Sequence, residues 1–130
     1  YLGNIDSKRD WGFAGDYVRA MWLMLQANTP DDYVISTGET YSIRYFIETA
    51  APFFNINLEW EGEGLNEIGI NKNNNKIIVR ISEKFYRPTE VDLLIGDSSK
   101  ILKKLNWSNK TDIKSLIKMM VEYEISGSLK

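Results

Sequence analysis

The chain has 130 residues, 43% of them hydrophobic and 26% charged, with a formal net charge of −2 and neither cysteine nor histidine. That length fits one domain with a real core, while the mild acidity argues against a nucleic-acid partner, whose binding requires many phosphates to be neutralised together. Disulfides, Ser-His-Asp or Cys-His catalysis and typical zinc sites are excluded, and the apolar runs Met21 to Leu25 and Ile77 to Ile81 fall far short of the ~20 residues a membrane helix needs.

The chain opens at Tyr1 with no initiator Met and no signal-peptide order, so it reads as part of something longer. Tyr17, Val18, Met21, Trp22 and Leu25 recur at helical spacing, and Pro30 with Asp31 and Asp32 ends the pattern. This predicts an amphipathic helix from Ala14 to Ala27 with that stripe in the core. Asp32 to Thr37 is short, β-rich and closed by Gly38, which predicts a buried strand. Ser42 is the candidate N-cap of a second helix with Ile43, Phe46, Ile47, Ala50 and Phe54 on its inner face. Pro52 is the misfit, because inside a helix it removes a hydrogen bond and forces a kink or frayed end.

Ile56, Leu58 and Trp60 alternate, as do Ile77, Val79 and Ile81, predicting two half-buried strands separated by a polar Gly- and Asn-rich connection from Glu61 to Asn75. Asp97 or Ser98 can cap a short helix carrying Ile101, Leu102 and Leu105. Thr111 can cap the last helix, marked by Ile113, Leu116, Ile117, Met120 and Val121. The expected order is helix, strand, helix, strand, strand, helix, helix, an α/β or α+β arrangement with few strands. No repeat or linker divides it, so residues 1–130 are treated as a single unit.

The glycines do not form a dinucleotide fingerprint, since Gly62-Glu63-Gly64 lacks the third glycine and stands among acids. No P-loop is present, and no tyrosine is followed four residues later by lysine. Glu61 with Glu63 reads as a solvated acidic loop, and Asp31 with Asp32 as a turn. Two arginines stand out. Arg9 lies between Asp6 and Asp10, and Arg87 precedes Pro88, which restricts its backbone to extended conformations. Two converging guanidiniums can clamp a pyrophosphate bidentately, and the nearby Glu90 carboxylate can accept from vicinal sugar hydroxyls. From these residues alone, structural ion pairs fit as well as ligand contacts.

Taken together, Leu2-Gly-Asn-Ile-Asp-Ser-Lys-Arg-Asp-Trp-Gly12, Asp16-Tyr-Val-Arg-Ala-Met-Trp22, Asp32-Tyr-Val-Ile-Ser-Thr-Gly38 and Tyr86-Arg-Pro-Thr-Glu-Val91 resemble the C-terminal portion of the GDP-mannose 4,6-dehydratase family. The likeness continues through Leu94 to Lys100 and Lys104 to Trp107, and so covers nearly the whole chain. It implies the α/β, C-terminal substrate-binding part of an extended short-chain dehydrogenase/reductase, without the Rossmann domain. The full enzyme would be a cytoplasmic homo-oligomer, a lyase that uses NADP to turn GDP-mannose into GDP-4-dehydro-6-deoxy-mannose; absence of cysteine agrees with a reducing compartment.

Carried over by motif, the resemblance makes Arg9 and Arg87 diphosphate ligands and Glu90 the ribose acceptor. It places the catalytic Thr or Ser, Glu, Tyr and Lys upstream of Tyr1, leaving no catalytic, cofactor or metal residue here and an inactive fragment. Two departures lie beside Arg9, with Phe13 where the family usually has His and Gly15 where it usually has Lys. Another nucleotide-sugar epimerase or dehydratase, and a non-catalytic nucleotide-sugar-binding or interaction module, are the rival readings.

Overall fold

The structure, a computed structural model, describes residues 1–87, 91 and 93–127. Its elements are β1 (Lys8–Arg9), α1 (Ala14–Leu25), β2 (Tyr41–Ser42), α2 (Ile43–Ala50), β3 (Leu58–Glu61), β4 (Ile68–Asn71), β5 (Lys76–Arg80), α3 (Ser99–Leu105) and α4 (Ile113–Gly127). β1 pairs antiparallel with β2, and β3, β4 and β5 form an antiparallel sheet in that order. This is the expected α/β composition of short strands among packed helices.

The core has two centres. Ala20 of α1, Ile101 of α3 and Trp107 form one, flanked by Tyr17, Leu23 and Met24. Ile113, Ile117 and Val121 of α4 form the other, packed against Trp11, Tyr45 and Phe46. Asp16 helps tie α1 to the loop before α4: its carboxylate accepts from the Lys110 and Thr111 amides at 3.0 and 2.9 Å, and its carbonyl accepts from the Trp107 indole at 3.0 Å.

Several expectations hold and several are corrected. Ser42 caps α2, its hydroxyl accepting from the Tyr45 amide at 3.0 Å. The irregular helix end expected at Pro52 is present. α2 stops at Ala50 and Pro52 opens a separate 3₁₀ turn, Ala51–Phe54, where its missing N–H costs nothing; Phe54 lies exposed rather than inward. α1 ends at Leu25, and of its predicted core stripe Tyr17 packs inward while the rest does not. Val18, Met21, Trp22 and Leu25 are 61, 52, 59 and 82% exposed, while Ala20 is fully buried. The helix is apolar on both sides, so periodicity could not say which side faces inward.

The segment 32–37 is no strand. Val34 is exposed, and among the described residues no strand pairs with it. Conversely, the connection predicted over Glu61 to Asn75 contains β4. Its Gly69 is a close-approach position, crowded by the side chains of Leu58, Trp60 and Val79. The cap of α4 is Asp112, whose carboxylate accepts from the Ser115 amide at 2.7 Å, rather than Thr111, whose amide serves Asp16. Ahead of α3, Asp97 accepts from the Ser99 amide at 2.8 Å.

Candidate functional site

The first extended segment, leading into β1, runs alongside the segment that leaves β5. Leu2 bridges Ile81 and Lys8 bridges Leu93, both in parallel sense. Backbone bonds from Leu2 N to Arg80 O (2.9 Å) and Ser82 N to Leu2 O (2.8 Å) fix the first pin. Between the pins the second segment, here called the arch, is the longer, and Arg87 lies on it with its side chain exposed. Gly3 lies beneath it, where a Cβ would overlap the Phe85 carbonyl.

Arg9 reaches the far foot of the arch. Its Nη1 donates to the Val91 carbonyl at 2.8 Å and to the Lys8 carbonyl at 2.7 Å. Four extended residues span at most ~14 Å, so the Arg87 backbone lies within that distance of the atom Arg9 holds. Glu90 lies outside the described residues.

Arg9 also lines a cleft of about 390 Å³ with Asp10, Tyr17, Ile35, Ser36 and Gly96. Burial first, then the Asp10 and Asp16 carboxylates, push the Tyr17 phenol up, so it remains a protonated donor at neutral pH. Gly12 leaves room for that ring; a Cβ there would overlap the phenol.

The two acids flanking Arg9 have work of their own. Asp10 accepts from the Thr37 amide (2.9 Å) and hydroxyl (2.6 Å), the Gly38 amide (3.0 Å) and the Gly96 amide (3.4 Å), so it gathers the 36–38 and 94–96 loops onto the Arg9 strand. Asp6 pairs with Arg44, whose hydrogen bonds hold its carboxyl below the ordinary range. Sequence reasoning missed these roles because the partners lie 27 to 86 residues away.

The Gly62-Glu63-Gly64 turn does not suit the pyrophosphate of the cofactor that the resemblance implies. Gly62 (φ +83°) and Gly64 (φ +58°) shape a turn between exposed Glu61 and Glu63, an environment that repels a pyrophosphate. Among the described residues no acidic cluster converges as a metal would require, and no helix is long and apolar enough to cross a membrane.

The arrangement of short strands and packed helices has solved counterparts. RMD from Pseudomonas aeruginosa, solved with NADPH, superposes with a TM-score of 0.67 at 18% identity, over 93% of this chain and 34% of that one. A UDP-glucose 4-epimerase from Thermotoga maritima, solved with UDP-glucose, gives 0.67 at 21% identity, over 100% of this chain and 35% of that one. This is the fold of the corresponding part of extended short-chain dehydrogenase/reductases.

Sequence goes further. The family model for GDP-mannose 4,6 dehydratase matches residues 1–120. The GDP-mannose 4,6 dehydratases of Dictyostelium discoideum, Drosophila melanogaster and Homo sapiens are 52, 50 and 48% identical over 96, 95 and 95% of this chain. The chain belongs to the GDP-mannose 4,6-dehydratase family. It spans about a third of those relatives' length, 35, 31 and 33% respectively.

Proposed function

We propose that this chain is the C-terminal, nucleotide-sugar-binding portion of a GDP-mannose 4,6-dehydratase, with Arg9 and Arg87 as the diphosphate ligands and Glu90 as the ribose acceptor. The observation that carries this reading is the pairing of the two arginine-bearing segments, which anchors the Arg87 arch beside the strand of Arg9. A pyrophosphate carries charge on both phosphates, and a guanidinium on each side meets it with planar, bidentate donors.

In this reading NADP is held by the part of the enzyme beyond this chain and supplies hydride chemistry there, and the enzyme is cytoplasmic and homo-oligomeric. This chain selects and orients GDP-mannose. The exposed stripe of Val18, Met21, Trp22 and Leu25 supports a larger whole, because so contiguous an apolar helix face calls for a covering partner.

The test is a titration calorimetry panel of GDP-mannose, UDP-glucose and dTDP-glucose against the full-length protein. GDP-mannose is expected to bind tightest. Tighter binding of either non-guanine sugar would overturn the assignment, and binding without turnover by the NADP-loaded protein would turn it into a binding module.

A further inference from the structure

We propose that Arg44 is a positioning residue for the phosphate site, a joint that holds the Arg9 strand and the Arg87 arch in fixed relation. This rests on the reading of those two arginines as diphosphate ligands.

Arg44 sits in the first turn of α2, and its own amide donates to the Ile5 carbonyl at 2.8 Å, so it starts from a backbone fixed against the first segment. Its side chain then reaches in two directions. Nε and Nη2 donate to the Asp6 carboxylate at 2.8 and 3.2 Å. Nη1 and Nη2 donate to the Glu67 carboxylate at 2.6 and 3.0 Å. Both contacts are two-pronged, which only a planar fork with several fixed donors achieves. The Trp60 ring lies 4.8 Å from the guanidinium carbon, and the Trp60 indole donates back to Glu48 of α2 at 2.9 Å.

The two carboxylates are what make this a joint. Asp6 is three residues before Arg9 on the same extended segment. Glu67 stands immediately before β4, and its carbonyl accepts from the Ile81 amide at 3.4 Å. Ile81 is the root of the arch that carries Arg87. One guanidinium therefore grips, through two side chains, the roots of both proposed ligand segments. Without it, two carboxylates would face each other across the gap and repel.

Arg44 is not itself placed to meet substrate. The cavity lined by Asp6 and Glu67, the two carboxylates it grips, with Ile81 and Tyr86 among others, is about 50 Å³, far below the ~300 Å³ from which small-molecule sites begin. Four of its donors are already committed, so its contribution passes through the segments it holds.

The test uses full-length protein with Arg44→Met, Arg44→Lys and Glu67→Gln, read by GDP titration, by steady-state kinetics with GDP-mannose and by NADPH binding. Arg44→Met is expected to weaken GDP binding and raise KM by about ten- to a hundredfold, with kcat at saturation and NADPH affinity changed less than about twofold. Arg44→Lys should recover little of this, because an ammonium meets one carboxylate at a time. Glu67→Gln, nearly isosteric, should shift GDP affinity in the same direction by less, and it carries the test if Arg44→Met does not fold. Unchanged GDP affinity in the folded variants overturns the proposal, as does an equal loss of GDP and NADPH binding, which marks general destabilisation. If wild type binds GDP and Arg87→Ala weakens it while the joint variants do not, only the joint falls. If wild type does not bind GDP, the ligand reading falls with it.

Discussion

The Arg9 guanidinium donates to the Val91 carbonyl at 2.8 Å across 82 residues of chain. A side chain proposed to hold phosphate thus also fastens the far foot of the arch that presents the second arginine. The two are coupled through backbone, so loss of either is expected to disturb the geometry of both.

Arg87 is the cleaner of the two to remove, because it is exposed and no hydrogen bond or ion pair to it is seen among the described residues. A charge-assisted hydrogen bond contributes roughly 1.5–3 kcal/mol. Arg87→Ala is therefore expected to weaken GDP-mannose binding by about ten- to a hundredfold or more, and Arg87→Lys to restore little of it. Calorimetric affinities unchanged in both variants would remove Arg87 from the site.

Gly3 gives an independent handle on the same arch. A Cβ there would run into the Phe85 carbonyl, and backbone yields less readily than a side-chain tip. Gly3→Ala is expected to destabilise the protein by about 1–3 kcal/mol, the usual cost of overpacking. It should also weaken GDP-mannose binding although residue 3 is proposed to touch no ligand. A thermal melt and a titration on the same sample decide this; wild-type affinity would show that the arch adapts without moving Arg87.

Local chemistry made much of this fold legible in the sequence. The Ser42 cap, the strands at Leu58–Glu61 and Lys76–Arg80 and the helix starting near Ile113 all follow from residue type and spacing within a few positions. What could not be read depends on distant partners. α1 has apolar residues on both faces, and only the position of Ile101 and Trp107 chooses Ala20 as the buried one. β4 is hidden by Gly69 and Asn71, residues poor in strand propensity that are placed there by what packs on them. The arginines were conspicuous as motifs, but Asp10 and Arg44, which arrange their surroundings, look like ordinary charged residues until their partners are known.

Phe13 and Gly15 are one feature. The Phe13 ring lies where a Cβ on Gly15 would go, so a large residue at 13 and none at 15 belong together. Replacing glycine by alanine inside a helix ordinarily gains about 0.5–1 kcal/mol. Here Gly15→Ala is expected to gain less than that, or to lose, while Phe13 is present, and to recover the gain in a Phe13→Ala background. A coupling of at least ~0.5 kcal/mol by thermal denaturation of the four proteins is the expected result. Additive effects would mean that the ring moves aside freely.

Asp16 sets an acid limit on stability. Burial opposes ionisation of its carboxyl, yet hydrogen bonds from the Lys110 and Thr111 amides and the Thr111 hydroxyl, with the charge of Arg19, outweigh it and hold the pKa below the ordinary 3.8. As pH falls, the unfolded chain therefore takes up this proton before the folded one does. The stabilisation is whole above 3.8 and is lost as pH drops from there through the folded-state value. Asp16→Asn cannot accept from both amides with the same charge, and is expected to cost about 1–3 kcal/mol near neutral pH. Denaturant titrations of wild type and Asp16→Asn should give curves whose separation shrinks below 3.8. A separation that stays constant into that range would mean that Asp16 holds the loop by shape rather than by charge.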